Sequence, residues 1–115
     1  MKTDLHNHSY YSDGVLSPSE VVRLASKAGC DLFSLTDHDT TNGLAEAQLE
    51  AEKLGLNLIN GVEISAFWRD SAIHIVGLGI DVEYDMLQTG LEFNKKLRIE
   101  RAEKIALGLR RSGIK

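Results

Sequence analysis

Along residues 1–82 the chain alternates short apolar runs, each ending in polar and ionisable residues, with longer segments whose apolar positions recur at helical spacing. This pattern restricts the fold more than any other feature. Parallel strands need long crossover connections, and a helix is the usual one, so the alternation predicts an α/β architecture with a parallel sheet. Thr3 to Leu5 reads as a strand entering the loop 6–16. Ser17-Pro18-Ser19-Glu20 carries an N-cap, a proline at the first helical position and a capping box, and Val21, Val22, Leu24, Ala25 and Ala28 give that helix a buried stripe before the stop at Gly29. Asp31 to Leu35 is a second strand, followed by the polar run 36–42. Leu44, Ala45, Ala47, Leu49, Ala51 and Leu54 mark a helix closed by Gly55. Leu56 to Ile59 and Val62 to Ile64 read as strands, and Ala66 to Trp68 with Ile73 to Leu78 as a hairpin turning at Arg69, Asp70 and Ser71. From Glu83 one long helical pattern contains Met86, Leu87, Leu91, Leu97, Ala102, Ile105, Ala106 and Leu109, with a stop at Ser112-Gly113.

Composition narrows the classes of function. Thirteen basic against 17 acidic residues give a net charge of −4, which excludes a polybasic nucleic-acid binder working by phosphate neutralisation alone. Any phosphate must be held by another device. The single cysteine, Cys30, gives no disulfide framework and reads as a small buried apolar residue. The N-terminus lacks the apolar core of a signal peptide and no stretch approaches a bilayer span, so the expectation is a cytoplasmic protein without membrane contact.

All four histidines, His6, His8, His38 and His74, fall in or beside strand ends. In His6-Asn7-His8 the i, i+2 spacing puts both imidazoles on one side of an extended chain, as two ligands of one metal require, although solvated loop histidines share that pattern. Asp13 before Gly14 reads equally as a turn aspartate. Thr36-Asp37-His38-Asp39 places ionisable groups at the carboxyl end of an apolar strand, where parallel α/β proteins build their sites. Glu63, between Val62 and Ile64, is a carboxylate in an apolar strand, costly to bury unless paired or bound to metal. His74, between Ile73 and Ile75, reads as a core histidine or a ligand. Together they favour a metal site, and mixed imidazole and carboxylate donors suit Zn²⁺, Mn²⁺ or Fe. A carboxylate such as Glu63 can bridge two metals, an arrangement specialised for phosphoryl transfer to water.

The series Asp4-Leu5-His6-Asn7-His8, Ser12-Asp13-Gly14, Leu35-Thr36-Asp37-His38-Asp39, Gly61-Val62-Glu63-Ile64-Ser65 and Ile73-His74-Ile75-Val76-Gly77 resembles the polymerase and histidinol phosphatase (PHP) family, from Thr3 to about Asp81. Within it the chain is most similar to bacterial enzymes that hydrolyse phosphate from nucleoside 3′,5′-bisphosphates and 5′-mononucleotides, some of which also trim short RNA from the 5′ end. The resemblance implies the N-terminal part of a distorted (β/α)7 barrel over residues 1–82, and the start of a helical insertion over 83–115. It implies two or three divalent metals (Mn, Zn or Fe). His6 and His8 would hold the first, Glu63 would bridge first and second, His74 would hold the second, and Asp13 with His38 the third. Glu63, His8 and His38 would carry the catalysis, in which a metal-bridging hydroxide attacks phosphorus. Asn7 and Asp37 would orient ligands, and Arg98 and Arg101 would belong to a phosphate-gripping surface or else be solvated helix-face residues.

No histidine or cysteine follows His74, so the family's later ligands, a further His or Cys and an Asp-x-His pair, have no counterpart. The resemblance therefore implies about the first two fifths of such an enzyme, inactive alone, with a complementing C-terminal fragment or self-association as partner. The alternative is a non-catalytic metal-binding or interaction module. Phe67 and Trp68 read as hairpin packing, with Trp68 a candidate base-binding wall, and Tyr10 and Tyr11 as loop residues in reach of a substrate.

Overall fold

The first helix begins where its capping residues dictate. In this computed structural model, which describes residues 2–69, 71–111 and 113 without the side chains of Phe67 and Trp68, α1 (Pro18–Lys27) starts at Ser17. The Glu20 N–H donates to the Ser17 hydroxyl and the Ser17 N–H to the Glu20 carboxylate, which satisfies two amides that the first turn would otherwise leave unpaired. The second helix, α2 (Leu44–Leu54), ends at Gly55.

These helices connect three parallel strands, β1 (Thr3–Asp4), β2 (Leu32–Phe33) and β3 (Asn57–Leu58), in the order β1-β2-β3. Regular pairing is shorter than the apolar runs suggest. Beyond Phe33 the ladder gives way to single bonds, with the Ser34 N–H donating to Asp4 O and the Thr36 N–H to Asn7 O, because the chain after β1 turns away into the loop that bears His6 and His8. The core lies between this sheet and the paired helices, around Val22, Phe33, Leu35, Leu44, Ala47, Ala51 and Leu56, with Cys30 at its edge. Leu24, expected in the buried stripe of α1, is instead 55% exposed, and Leu49 and Leu54 at the apolar positions of α2 are 62% and 43% exposed. Among the described residues α1 and α2 pack against each other and over the core, and these outer apolar positions stay in solvent.

A hairpin completes the strands. The strand β4 (Gly61–Trp68) runs unbroken through Ser65, where the sequence suggests two pieces, and pairs antiparallel with β5 (Ser71–Leu78). Asp70 of the expected turn lies outside the described residues. The hairpin joins the sheet at a parallel bridge between His38 and Glu63, in which the Glu63 N–H donates to Asp37 O at 3.0 Å and the Asp39 N–H to Glu63 O at 2.9 Å.

The long helical pattern from Glu83 forms one helix, α3 (Asp85–Arg111). Among the described residues only Leu91 of its apolar positions is buried, whereas Met86, Ile105 and Leu109 are 73%, 56% and 45% exposed. It docks instead through polar side chains: Gln88 donates to Thr41 Oγ1 and Val82 O, and Asn94 to Ser65 O and Asp39. The expected stop at Ser112 lies outside the described residues. No helix among the described residues is long and apolar enough to cross a membrane.

At Gly61 the hairpin passes close to the end of the sheet. A Cβ there would stand 2.4 Å from Ser34 Oγ, 2.8 Å from Thr36 Cγ2 and 3.1 Å from the Gly77 carbonyl. Ser34 cannot yield freely, since its hydroxyl donates to Ile59 O. Gly61→Ala is therefore expected to cost roughly 1–3 kcal/mol, read as a lower urea midpoint with unchanged m-value; an unshifted midpoint would show that the strands can separate without loss.

Candidate metal centre

Four segments bring six side chains to one place. His6, His8 and Asp13 come from the loop after β1, His38 from the polar run after β2, Glu63 from β4 and His74 from β5. His74 stands opposite Ser65, two residues from Glu63, so the pleat puts both side chains on the same face of the hairpin.

Glu63 is the hub, 3% exposed. Its Oε1 meets Nε2 of His6 and, at 3.1 Å, Nε2 of His8. Its Oε2 meets Nδ1 of His38 at 3.1 Å and Nδ1 of His74 at 2.8 Å. Asp13 spans the other flank, with Oδ1 2.5 Å from His8 Nδ1 and Oδ2 3.2 Å from His38 Nε2. Three overlapping donor groups result, His6/His8/Glu63, His8/Asp13/His38 and His38/Glu63/His74, each with ligand atoms within 4.8 Å of one another. All six candidate ligands read from the sequence thus lie together. The core alternative for His74 is overturned, since its side chain is 51% exposed.

The donor set fits a divalent transition metal. Imidazole nitrogens with carboxylate oxygens suit Zn²⁺, Mn²⁺ or Fe. His38 Nδ1 is buried and makes no hydrogen bond among the described residues, its approach to Glu63 lacking the angle for one. Such a nitrogen is costly unless something else takes its lone pair.

Electrostatics in the cluster is balanced by proximity. Burial alone would lower the His8 pKa, but hydrogen bonds and charges from Asp13 and Glu63 outweigh it and raise it above 6.5. Burial would likewise raise Glu63, yet its contacts with His6, His38 and His8 hold it below 4.5. Asp13 is lowered against its own desolvation by His8 and His38.

The loop is held by a carboxylate whose side-chain hydrogen bonds, among the described residues, go to serines. Asp37, buried, accepts the Ser9 N–H and hydroxyl, each at 2.6 Å, and the Ser12 hydroxyl at 2.8 Å. It orients His8 and Asp13 through the backbone between them. Asn7 acts likewise, donating to Asp4 O and Ser34 O while its main-chain carbonyl receives the Thr36 N–H. Gly14 lets the loop close, since a Cβ there would lie 2.7 Å from His8 O. Sequence reading missed Asp39, Ser65 and Asn94, which link β4 to α3 beside the cluster; nothing in the polar run 36–42 distinguishes Asp39 from a solvated loop residue.

Two clefts open onto the cluster. One, of about 270 Å³, lies between hairpin and α3 and reaches His74, with Arg98 and Arg101 on its wall. The other, of about 330 Å³, reaches His38 and is lined by Tyr11, Ser12, Lys95 and Arg98. The expected hairpin packing of Phe67 and Trp68, and the alternative of Trp68 as a base-binding wall, fall on side chains outside those described.

Comparison with known proteins decides the family, because the PHP domain matches residues 4–107. The chain belongs to the PHP family. It is 46% identical over 113 residues to a 5′-3′ exoribonuclease of Haemophilus influenzae, covering 98% of this chain and 41% of that protein. It is also 46% identical over 111 residues to a 3′,5′-nucleoside bisphosphate phosphatase of Chromobacterium violaceum, covering 96% and 39%. Among solved structures, an amidohydrolase from Chromobacterium violaceum with bound sulfate and no metal superposes with a TM-score of 0.92 at 45% identity, covering 99% of this chain and 40% of that one. A putative metal-dependent phosphoesterase from Bifidobacterium adolescentis gives 0.89 at 30% identity, covering 96% and 39%. This PHP chain therefore spans about two fifths of the length of these relatives.

A pH prediction follows from the paired shifts. The raised His8 contributes stability that is fully present below 6.5 and lost as pH rises through its folded value. The lowered Glu63 contributes stability fully present above 4.5 and lost as pH falls through its folded value. In chelator the melting temperature is expected to peak between these two values. Added Mn²⁺ or Zn²⁺ should raise it, and by more as pH increases, because metal binding releases protons from its ligands. A melting curve indifferent to both metal and chelator would rule out the centre.

Proposed function

We propose that the whole protein is a metal-dependent phosphoesterase acting in the cytoplasm on phosphorylated nucleotides. The substrate is a 5′-mononucleotide or a 3′,5′-bisphosphate, or the 5′ end of a short RNA. The observation that carries this reading is the buried Glu63 carboxylate, each oxygen of which faces two imidazoles, as a residue shared between two metals would. His6 and His8 with Glu63 would hold one ion, Glu63 with His38 and His74 a second, and His8, Asp13 and His38 a third. Support for the substrate comes from the relatives' names and from the sulfate, a mimic of phosphate, in the Chromobacterium structure.

When bound, divalent metals supply Lewis-acid polarisation of phosphoryl oxygens and a water of lowered pKa. The chain's own residues do the rest. Glu63, His8 and His38 fix the donor atoms around one point, and Asp37 keeps the His8 to Asp13 loop from collapsing into the site. Arg98, Arg101 and Lys95 line the clefts beside the cluster and offset the charge of an incoming phosphate, which a chain of net charge −4 needs locally. Tyr11 lines the cleft that reaches His38, in reach of a substrate bound there. In this reading residues 1–82 are the N-terminal part of a (β/α)7 barrel and 83–115 open a helical insertion, and a complementing C-terminal segment or second copy supplies the remaining ligands.

A non-catalytic module of the same fold is favoured by β5, which pairs with β4 on one side and, among the described residues, with no strand on the other, an edge open to pairing. One assay separates the two. Metal-loaded whole protein should release phosphate from a nucleoside 3′,5′-bisphosphate, and Glu63→Ala or His8→Ala should lower the rate by about 10²–10³ or more. Metal retention with no phosphate release, or undiminished release in either variant, would overturn the proposal.

A further inference from the structure

Asp39 belongs to none of the three donor groups, yet it is wholly buried, with its backbone in the left-handed region at φ 53. Both carboxylate oxygens are engaged. Oδ1 accepts the Ser65 N–H at 2.9 Å and Asn94 Nδ2 at 3.1 Å, and Oδ2 accepts the Ser65 hydroxyl at 2.6 Å and Arg98 Nη1 at 3.3 Å. Ser65 stands opposite His74 on the hairpin, and Arg98 borders both clefts, the one reaching His74 and the one reaching His38.

The type of residue at position 39 is informative. A neutral amide could satisfy Ser65 and Asn94 only by turning its NH2 toward the Ser65 hydroxyl, which would then have to accept, and it would give Arg98 no opposite charge. Arg98 is the partner for which a charge is needed. It is half exposed, gives Asp39 one terminal nitrogen, and has five N–H donors in its planar fork, so a phosphate can be engaged at the same time. From this we infer that Asp39 is a positioning residue, which ties Arg98 to the strand carrying Glu63 and holds its guanidinium between the two clefts to receive the substrate's phosphoryl group. The inference rests on the phosphoesterase reading and adds to it the device that aims the cation. An untethered arginine on a solvated helix would sample many rotamers, and holding one of them lowers the entropy lost on binding.

The test is a double-mutant cycle on the metal-loaded whole protein with Asp39→Asn, Arg98→Ala and the pair. It reads metal stoichiometry, KM and kcat for phosphate release, and the affinity for inorganic phosphate by calorimetry. Asp39→Asn is expected to raise KM and weaken phosphate binding about three- to tenfold, with metal stoichiometry retained, and to add nothing once Arg98 is alanine. An equal loss in the Arg98→Ala background, or unchanged phosphate affinity in Asp39→Asn, overturns the inference. If Asp39→Asn does not fold, NMR of the unaltered protein decides. The Arg98 guanidinium should rotate about Nε–Cζ more slowly than that of Arg101, and equal rates overturn the inference. Wild-type protein that binds phosphate but releases none would defeat the phosphoesterase reading while the phosphate cycle still reports on Asp39; wild-type protein that binds no phosphate overturns the inference as well.

Discussion

The arrangement depends on one buried carboxylate. Glu63 sits in a strand between Val62 and Ile64, 3% exposed, and a lone anion there would be strongly disfavoured. Four imidazoles from three different stretches of chain converge on it, and a bound cation would complete the compensation. The Glu63 main chain is engaged as fully as its side chain, since its N–H and carbonyl both bond to the backbone around His38 and hold the hairpin to the sheet. The bond that joins the two sheets and the charge that organises the site belong to one residue.

On either side of His38 stands a buried aspartate, and the two divide the supporting work. Asp37 faces the loop that carries His8 and Asp13, gathering Ser9 and Ser12. Asp39 faces the other way, gathering Ser65, Asn94 and Arg98. A run of three ionisable residues thus serves three directions: loop, cluster and helix. Each buried acid is satisfied by donors from segments distant in sequence, so the polar interior specifies a tertiary arrangement rather than a local turn.

Much of this was legible in the sequence because it is written in short-range chemistry. The Ser17 to Glu20 box, the stop at Gly55 and the hairpin about Arg69 depend on residues a few positions apart. The donors were legible because histidines at strand ends and a glutamate in an apolar strand are unusual. What was not legible depends on which faces meet. Leu24, Leu49 and the apolar positions of α3 have helical spacing, but spacing does not say whether a neighbour arrives to cover them. The docking of α3 through Gln88, Asn94 and Arg98, and the part played by Asp39, arise only once β4 lies beside the polar run. Exposure of His74 was equally a matter of tertiary placement.

The distances along the chain between interacting residues have their own consequence. His6 and Glu63 are 57 residues apart, Ser9 and Asp37 are 28 apart, and Asp39 reaches Arg98 across 59. No short stretch of the chain holds a complete donor group before the tertiary contacts form. An ion that prefers the assembled donors draws its affinity from the folding equilibrium itself, so metal occupancy becomes a gauge of structural integrity. A packing defect far from the cluster, such as one at the junction of hairpin and sheet, would then register first as weakened grip on the ion, before any loss of helix is visible.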